Sequence, residues 1–295
     1  MKLDSRVDRL LFQGHVFFVK RDDLIDPLWG GNKYRKLYAL LQAPKDAYDS
    51  MVSYGGTQSN AMLAMAALCH QQGWAFHYTS KAVPKRLKSS PIGNLKLALD
   101  LGMQWHQVEH ADYAAAIAAL RTHTDATNLL LPQGAADPIA RHGIDQLAQE
   151  IKQWQHLQHI EKLHVVIPSG TGTTAYYLAM AMPDVFVLTT PTVGDKTYLM
   201  AQMQRLGEVP SNLKVLENAN NYHFAKPYAE FLSIYGALKQ AGIEFDLIYA
   251  CKMWHTLLQY MDEIEGTVLY VHTGGLMGNA SMLDRYRHQG MKLKD

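Results

Sequence analysis

The chain is poor in cysteine, in net charge and in long apolar runs. Only Cys69 and Cys251 occur in 295 residues, too few and too far apart for a disulfide framework or a zinc cluster. The 28 lysines and arginines stand against 27 aspartates and glutamates, a formal charge of +1. Such a balance gives no electrostatic reason to expect nucleic acid or an anionic membrane as partner. No uninterrupted apolar stretch approaches the roughly 20 residues of a membrane-spanning helix, and MKLDSRVDRL lacks the apolar core of a secretory leader. Among the 14 histidines, His156 and His159 lie three apart on a polar helix face, which reads as solvated surface and not as a metal pair. The absences leave a cytoplasmic protein without a structural metal, working on a small molecule.

What is present is enough apolar material for a large core, 48% hydrophobic against 19% charged residues. Short β-branched or aromatic runs alternate with longer helical patterns. HVFFVK, SMVSYGG, WAFHYTS, QWHQVEH, NLLLPQG, LHVVIPSG, DVFVLTT, LKVLE and TVLYVHTGG read as strands. Helices are expected over Asn60 to Gln72, IGNLKLALDLG, ADYAAAIAALRTH, Pro138 to Trp154, TGTTAYYLAMAM, Lys196 to Gly207, KPYAEFLSIYGALKQAG and CKMWHTLLQYM. This alternation predicts an α/β fold of parallel sheets covered by helices. In such sheets ligands bind beyond the carboxyl ends of the strands, so the strand-to-helix turns carry the functional information.

Four of those turns are unusual. GGNKYRKL places Lys33 at a helix start, where the dipole disfavours a cation, so the side chain is better used as a reactive amine than as a permanent charge. Gly55 to Asn60, GGTQSN, combines a tight turn with good capping residues; its backbone N–H groups also suit a carboxylate. Ser169-Gly170-Thr171-Gly172-Thr173-Thr174 joins a buried strand to a helix and supplies unhindered donors for a phosphate. Gly170, Gly172 and Ala175 also fit a dinucleotide fingerprint, but that reading needs an acid at the end of the next strand, and DVFVLTT ends in Thr189 and Thr190. The fourth turn, Thr273-Gly274-Gly275, places a hydroxyl where a ring nitrogen could meet it.

In this order the turns resemble the pyridoxal-phosphate enzymes of fold type II, the tryptophan-synthase-β-like superfamily. Within it, VKRDDL…GGNKYRKL, SYGGTQSNA, IGNLKLALDLG, LPQGAADP, IPSGTGTTA, LIYACK and VHTGG resemble the aminocyclopropane-carboxylate deaminase and D-cysteine desulfhydrase family. The resemblance implies two doubly wound domains with the cofactor in the cleft between them. Residues 1–40 plus 142–295 would form the larger and 41–141 the smaller. It implies that Lys33 carries pyridoxal phosphate and that Ser169, Gly170, Thr171, Gly172, Thr173 and Thr174 cradle its phosphate, with Lys36 adding charge. Asn60 would meet the phenolic oxygen of the ring and Thr273 its nitrogen. Gln58, Ser59 and Asn60 would hold the substrate carboxylate, Ser59 is a candidate proton carrier, and Tyr249 would stand beside the reacting carbons. A homodimer is implied as well.

The sequence departs from that pattern in two places. Ala250 stands where the deaminases commonly have glutamate and the desulfhydrases serine or threonine, whereas Thr273 matches the desulfhydrases. KAVPKRLKSSP replaces the family's segment before the GNLK helix. The expected reaction is therefore β-elimination from D-cysteine or a related small amino acid, giving a keto acid and ammonia. The alternative is a protein that binds the cofactor or an amino acid with little turnover.

Overall fold

The computed structural model describes residues 3–26, 29–122 and 127–293. The chain opens with a hairpin of β1 (Val7–Phe12) and β2 (His15–Lys20), followed by α1 (Gly31–Leu41), β3 (Ser50–Tyr54), α2 (Asn60–Gln72) and β4 (Ala75–Lys81). Next come α3 (Lys85–Ser89), α4 (Gly93–Asp100), β5 (Gln104–Val108), α5 (Tyr113–Thr122), β6 (Asn128–Leu130), α6 (Arg141–Leu157) and β7 (Leu163–Val166). The remainder is α7 (Thr173–Ala181), β8 (Phe186–Thr189), α8 (Lys196–Gln204), β9 (Leu213–Val215), α9 (Ala229–Gln240), α10 (Ala250–Gln259), β10 (Thr267–Val271) and α11 (Asn279–His288).

These strands make two sheets, a four-stranded one in the order β5-β4-β3-β6 and a six-stranded one in the order β1-β2-β10-β7-β8-β9. Every pairing is parallel except β1 with β2. The expected α/β architecture is therefore present, with an antiparallel edge that the sequence reading did not include. Its cause is local: Gln13 and Gly14 both adopt positive φ, 47° and 81°. That is the two-residue turn geometry whose twist matches a hairpin.

The six-stranded sheet is covered on both faces, as its uninterrupted apolar strands require. Val165, Leu269 and Val271 point into a core shared with α6 and α7. Their neighbours Val166, Val268 and Tyr270 point the other way, toward Trp254 of α10, the two-residue alternation of a strand. A separate core lies under the four-stranded sheet and includes Tyr34, Leu37 and Leu40 of α1 with the inner face of α2. On its other side α1 is pinned by charge. The guanidinium of Arg35, fully buried, donates to Asp22 at 2.5 and 2.7 Å and to Glu150 at 2.8 and 2.9 Å. Lys20 pairs with the same Glu150 at 2.6 Å. Removing one member of such a buried set costs about 3–5 kcal/mol, because its partner charge is left uncompensated. Both anchors fix the helix that carries Lys33.

Candidate active site

A cleft of about 690 Å³ opens between the two sheets. Lys33, Lys36, Ser59, Asn60, Tyr249, Thr273 and the whole run Ser169 to Thr174 line it. Thus residues up to 240 positions apart in sequence line one cleft because each lies at the carboxyl end of a strand or near the start of the helix that follows.

The floor is made by backbone meeting backbone. Gly30 has φ 61° and serves as the N-cap of α1 without any side-chain cap. The exposed donor of Asn32 is satisfied instead by the carbonyl of Thr273, at 3.3 Å. A Cβ on Gly274 would lie 2.6 Å from the Gly31 nitrogen, and one on Gly275 would lie 2.5 Å from Asn60 Nδ2. The GGNK and TGG turns therefore need glycine where they touch each other, and Gly275 also leaves room for Asn60 of GGTQSN.

Lys33 stands on this floor, half-buried, its remaining exposure being to the cleft. Burial lowers its pKa to about 8, against a weaker upward pull from Asp246. Lys36, one turn on, is buried, donates to the Gly134 carbonyl at 3.0 Å, and is held well below the ordinary lysine range by burial and by Lys33. Two neighbouring amines in a dry floor favour the free base of the more reactive one.

Along one wall runs the loop before α7. Gly172 caps that helix with φ 75° and no side-chain hydrogen bond, so the first-turn N–H groups receive no capping side chain and face the cleft end. Ser169 is locked from behind, accepting from Thr189 Oγ1 at 2.6 Å. Thr171 and Thr173 share a hydroxyl hydrogen bond of 2.9 Å. The Thr174 hydroxyl is buried without a partner among the described residues, an arrangement that is costly unless a ligand completes it.

Across the cleft, Ser59 caps α2, accepting from the Ala61 and Met62 amides at 3.2 and 3.3 Å. Asn60 accepts from Asn94 Nδ2 at 2.8 Å, which leaves its own amide nitrogen toward the TGG turn. Gln58 is not among the lining residues. Its side chain is turned to the start of α4, donating to the Ile92 carbonyl at 3.0 Å and accepting from the Asn94 amide at 3.1 Å. Unlike the other expected site residues, Gln58 thus lies outside the cleft lining and holds a neighbouring loop.

Several lining residues receive no role from the sequence reading: Asn32, Tyr54 and Gln133, which lie inside quoted motifs, and Arg121 and Arg205, which lie only in expected helices. Tyr198, Gln202 and Arg205, at i, i+4 and i+7 of α8, form a stripe that a helical-wheel reading of the polar positions could have found. Asp246 was also missed. Its carboxylate accepts from the amides of Ile248, Tyr249 and Ala250, so it caps α10 and sets Tyr249 at the cleft. Burial raises its pKa to about 6, even with those amides favouring the anion.

The comparisons with known proteins bear on this geometry. A model of the pyridoxal-phosphate dependent enzymes matches residues 6–189. The chain belongs to that family. A putative 1-aminocyclopropane-1-carboxylate deaminase of Thermotoga maritima is 27% identical over 289 residues, covering 90% of each chain. The D-cysteine desulfhydrase of Salmonella paratyphi A is 25% identical over 301 residues, covering 90% of this chain and 88% of its own. The crystal structure of an aminocyclopropane-carboxylate deaminase homologue superposes with a TM-score of 0.74 at 21% identity, over 96% of this chain and 94% of that one. Members of the family depend on pyridoxal phosphate, and the cleft fits such a group. It offers an amine with a depressed pKa, an uncapped helix start with an unpartnered threonine hydroxyl, and cationic side chains with no carboxylate among the described lining residues. Among the described residues no group of three or more histidine, cysteine or acidic side chains is placed to hold a metal, and no helix is long and apolar enough to cross a membrane.

Proposed function

We propose that the protein is a lyase or deaminase of a small amino acid, with β-elimination from D-cysteine or a related D-amino acid as its reaction. The products would be a keto acid and ammonia. The observation that carries this reading is the floor of the cleft, where the low-pKa amine of Lys33 lies beside the Thr273 turn and faces the uncapped start of α7. Pyridoxal phosphate, when bound, supplies an electron sink for negative charge developing at the substrate's α-carbon.

The chain's own residues supply the rest. Lys33 would hold the cofactor through its amine, and as a free base the same amine would be the group to take the α-proton. Ser169 to Thr174 would hold the phosphate, whose negative charge would offset the burial of Lys36 and favour its cation behind the loop. Asn60, oriented by Asn94, donates toward the ring's phenolic oxygen. Ser59 and Asn60 receive the substrate carboxylate at the start of α2, with Gln58 fixing that loop from behind, and Ser59 can carry a proton. Tyr249 faces the β-carbon side. Two half-cleft domains, residues 1–40 plus 142–295 and residues 41–141, would close on the substrate. A cytoplasmic homodimer is the assembly the family resemblance supports.

The choice of reaction rests on Ala250 and Thr273. Ala250 is buried at the start of α10 and can neither accept a proton from a ring nitrogen nor share one. A threonine hydroxyl is a weaker partner than a carboxylate, so the sink is shallower. Elimination of a thiol or chloride tolerates this, because the leaving group carries the charge away. Opening of a cyclopropane does not. The test is keto-acid release from D-cysteine, β-chloro-D-alanine, their L-enantiomers and aminocyclopropane carboxylate on cofactor-saturated protein. The D-thiol or D-chloride substrate should be fastest and the cyclopropane slowest. Faster turnover of the cyclopropane would overturn the reading, and silence on all five would favour a binder without turnover.

A further inference from the structure

The cleft holds more positive charge than this reaction uses. Lys33, Lys36, Arg121 and Arg205 line it, and among the described residues no aspartate or glutamate does. Lys33 and Lys36 are assigned to the cofactor. Arg121 and Arg205 are not, and neither has a carboxylate partner among the described residues. Arg121 ends α5, beside the four-stranded sheet, and its Nε and Nη2 both donate to the hydroxyl of Tyr54, at 3.1 and 2.6 Å. Tyr54 is buried, so this phenol fixes the guanidinium in place. A phenol is a neutral acceptor, however, and it engages only one edge. Among the described residues nothing else engages the guanidinium, so Nη1 and the second proton of Nη2 form a fork of the kind that fits a carboxylate or phosphate. Arg205 reaches the same cleft from the six-stranded sheet's side, on the stripe with Tyr198 and Gln202.

An amino acid bound for the reaction above already has its amino group at Lys33 and its carboxylate at the start of α2. What remains to meet the two arginines is the far end of its side chain. We propose that Arg121 and Arg205 form a second anion site, so that the preferred substrates are amino acids whose side chain ends in a carboxylate, phosphate or sulfonate. This rests on the reading of the cleft as an amino-acid lyase site and moves the preferred substrate from D-cysteine itself to related amino acids with an anionic side-chain end. A cleft lined by cations with no acid among them also concentrates such anions before they bind.

The test uses cofactor-saturated protein and matched pairs of one stereochemistry: aspartate against asparagine, and O-phosphoserine against serine, in both D and L forms. Half-saturation is read from the change in cofactor absorbance, and keto-acid release is followed in parallel. The charged member of at least one pair should half-saturate about tenfold lower than its neutral partner, as a bidentate charge-assisted contact warrants. Arg121→Gln and Arg205→Gln should each collapse that ratio, Arg121→Lys should retain part of it, and added salt should narrow it. Both arginines are exposed, so the variants should fold, and circular dichroism checks that they do. Equal half-saturation within every pair would overturn the proposal. So would an Arg205→Gln variant that loses cofactor affinity while the ratio stays put, since the arginine would then serve the cofactor's phosphate. Neutral amino acids accepted and charged ones refused would sink this inference and leave the lyase reading standing. No absorbance change with any amino acid would sink both.

Discussion

At the floor of the cleft Lys33 and Thr273 are held by main chain: the Asn32 amide on the Thr273 carbonyl, Gly274 against Gly31, and the buried Arg35 set behind them. At the rim, Arg121 and Arg205 are exposed side chains on helix ends, one steadied by a phenol and the other by nothing among the described residues. The contrast separates two tasks. Groups that react must be placed within a fraction of an ångström, which backbone contacts and buried ion pairs can do. Groups that choose among substrates need only supply charge or shape at the right side, and can change without disturbing the fold.

The sharpest way to break that division is at Lys33. Lys33→Ala should lower turnover by at least about a thousandfold, because both the covalent attachment and the nearest base are removed. Borohydride should fix the cofactor on the peptide of the native chain that contains Lys33 and on no peptide of the variant. Label on another lysine, Lys36 being the nearest alternative, would show that the floor has been misassigned.

The floor's charge makes a second, smaller prediction. With its pKa lowered to about 8, the Lys33 amine is free in about a tenth of molecules at pH 7 and in half at pH 8, so cofactor attachment should speed roughly fivefold between them and level off above pH 9. For cofactor-free protein the sign follows from linkage. Between about 8 and the ordinary 10.5 the unfolded chain holds a proton that the folded chain lacks, so the Lys33 contribution to stability rises with pH across that window. Below it both states are protonated and the burial penalty is fully present. Lys36 and Asp246 face the same amine, so the comparison needs Lys33→Met beside the native chain. A rate that keeps climbing about tenfold per pH unit through pH 9 would mean that the floor is wetter than its packing implies, and a flat rate from pH 7 to 9 that the amine is already free at pH 7.

The same division governs what could be read from the sequence. The four turns were legible because glycines, capping residues and hydroxyls at strand ends have a local reason to be there, and GGNK, GGTQSN and TGG do meet. The β1–β2 hairpin was legible too, since LFQGHV is a strand, a Gly-containing two-residue turn and a strand, yet it was not read. Helix α11, NASMLDRYRH, has too weak an apolar repeat to stand out. The bracing role of Gln58 was not legible: its side chain is held by Ile92 and Asn94, partners 34 and 36 residues away, and no local rule anticipates that. The rim was beyond reach for the same cause. Arg121 becomes special only because Tyr54, 67 residues distant, lies beside it, and Arg205 only because α8 faces the cleft.

Tyr54 offers the smallest and most discriminating perturbation of the rim. Tyr54→Phe keeps the buried ring but removes the oxygen on which two donors of Arg121 converge. A hydrogen bond of this kind contributes about 0.5–1.5 kcal/mol, or more with a charged donor, so kcat/KM for the best substrate should fall by roughly two- to tenfold. The fall should lie in KM, because a guanidinium that only receives the end of a side chain acts equally on ground and transition states. The phenol at Tyr54 and the amine at Lys33 would then differ in kind: one orients a neighbour that binds, the other reacts. A drop in kcat approaching that of Lys33→Ala would erase the distinction between floor and rim. It would place the Arg121–Tyr54 pair in the chemistry itself, with the guanidinium stabilising charge that appears only as the bond breaks.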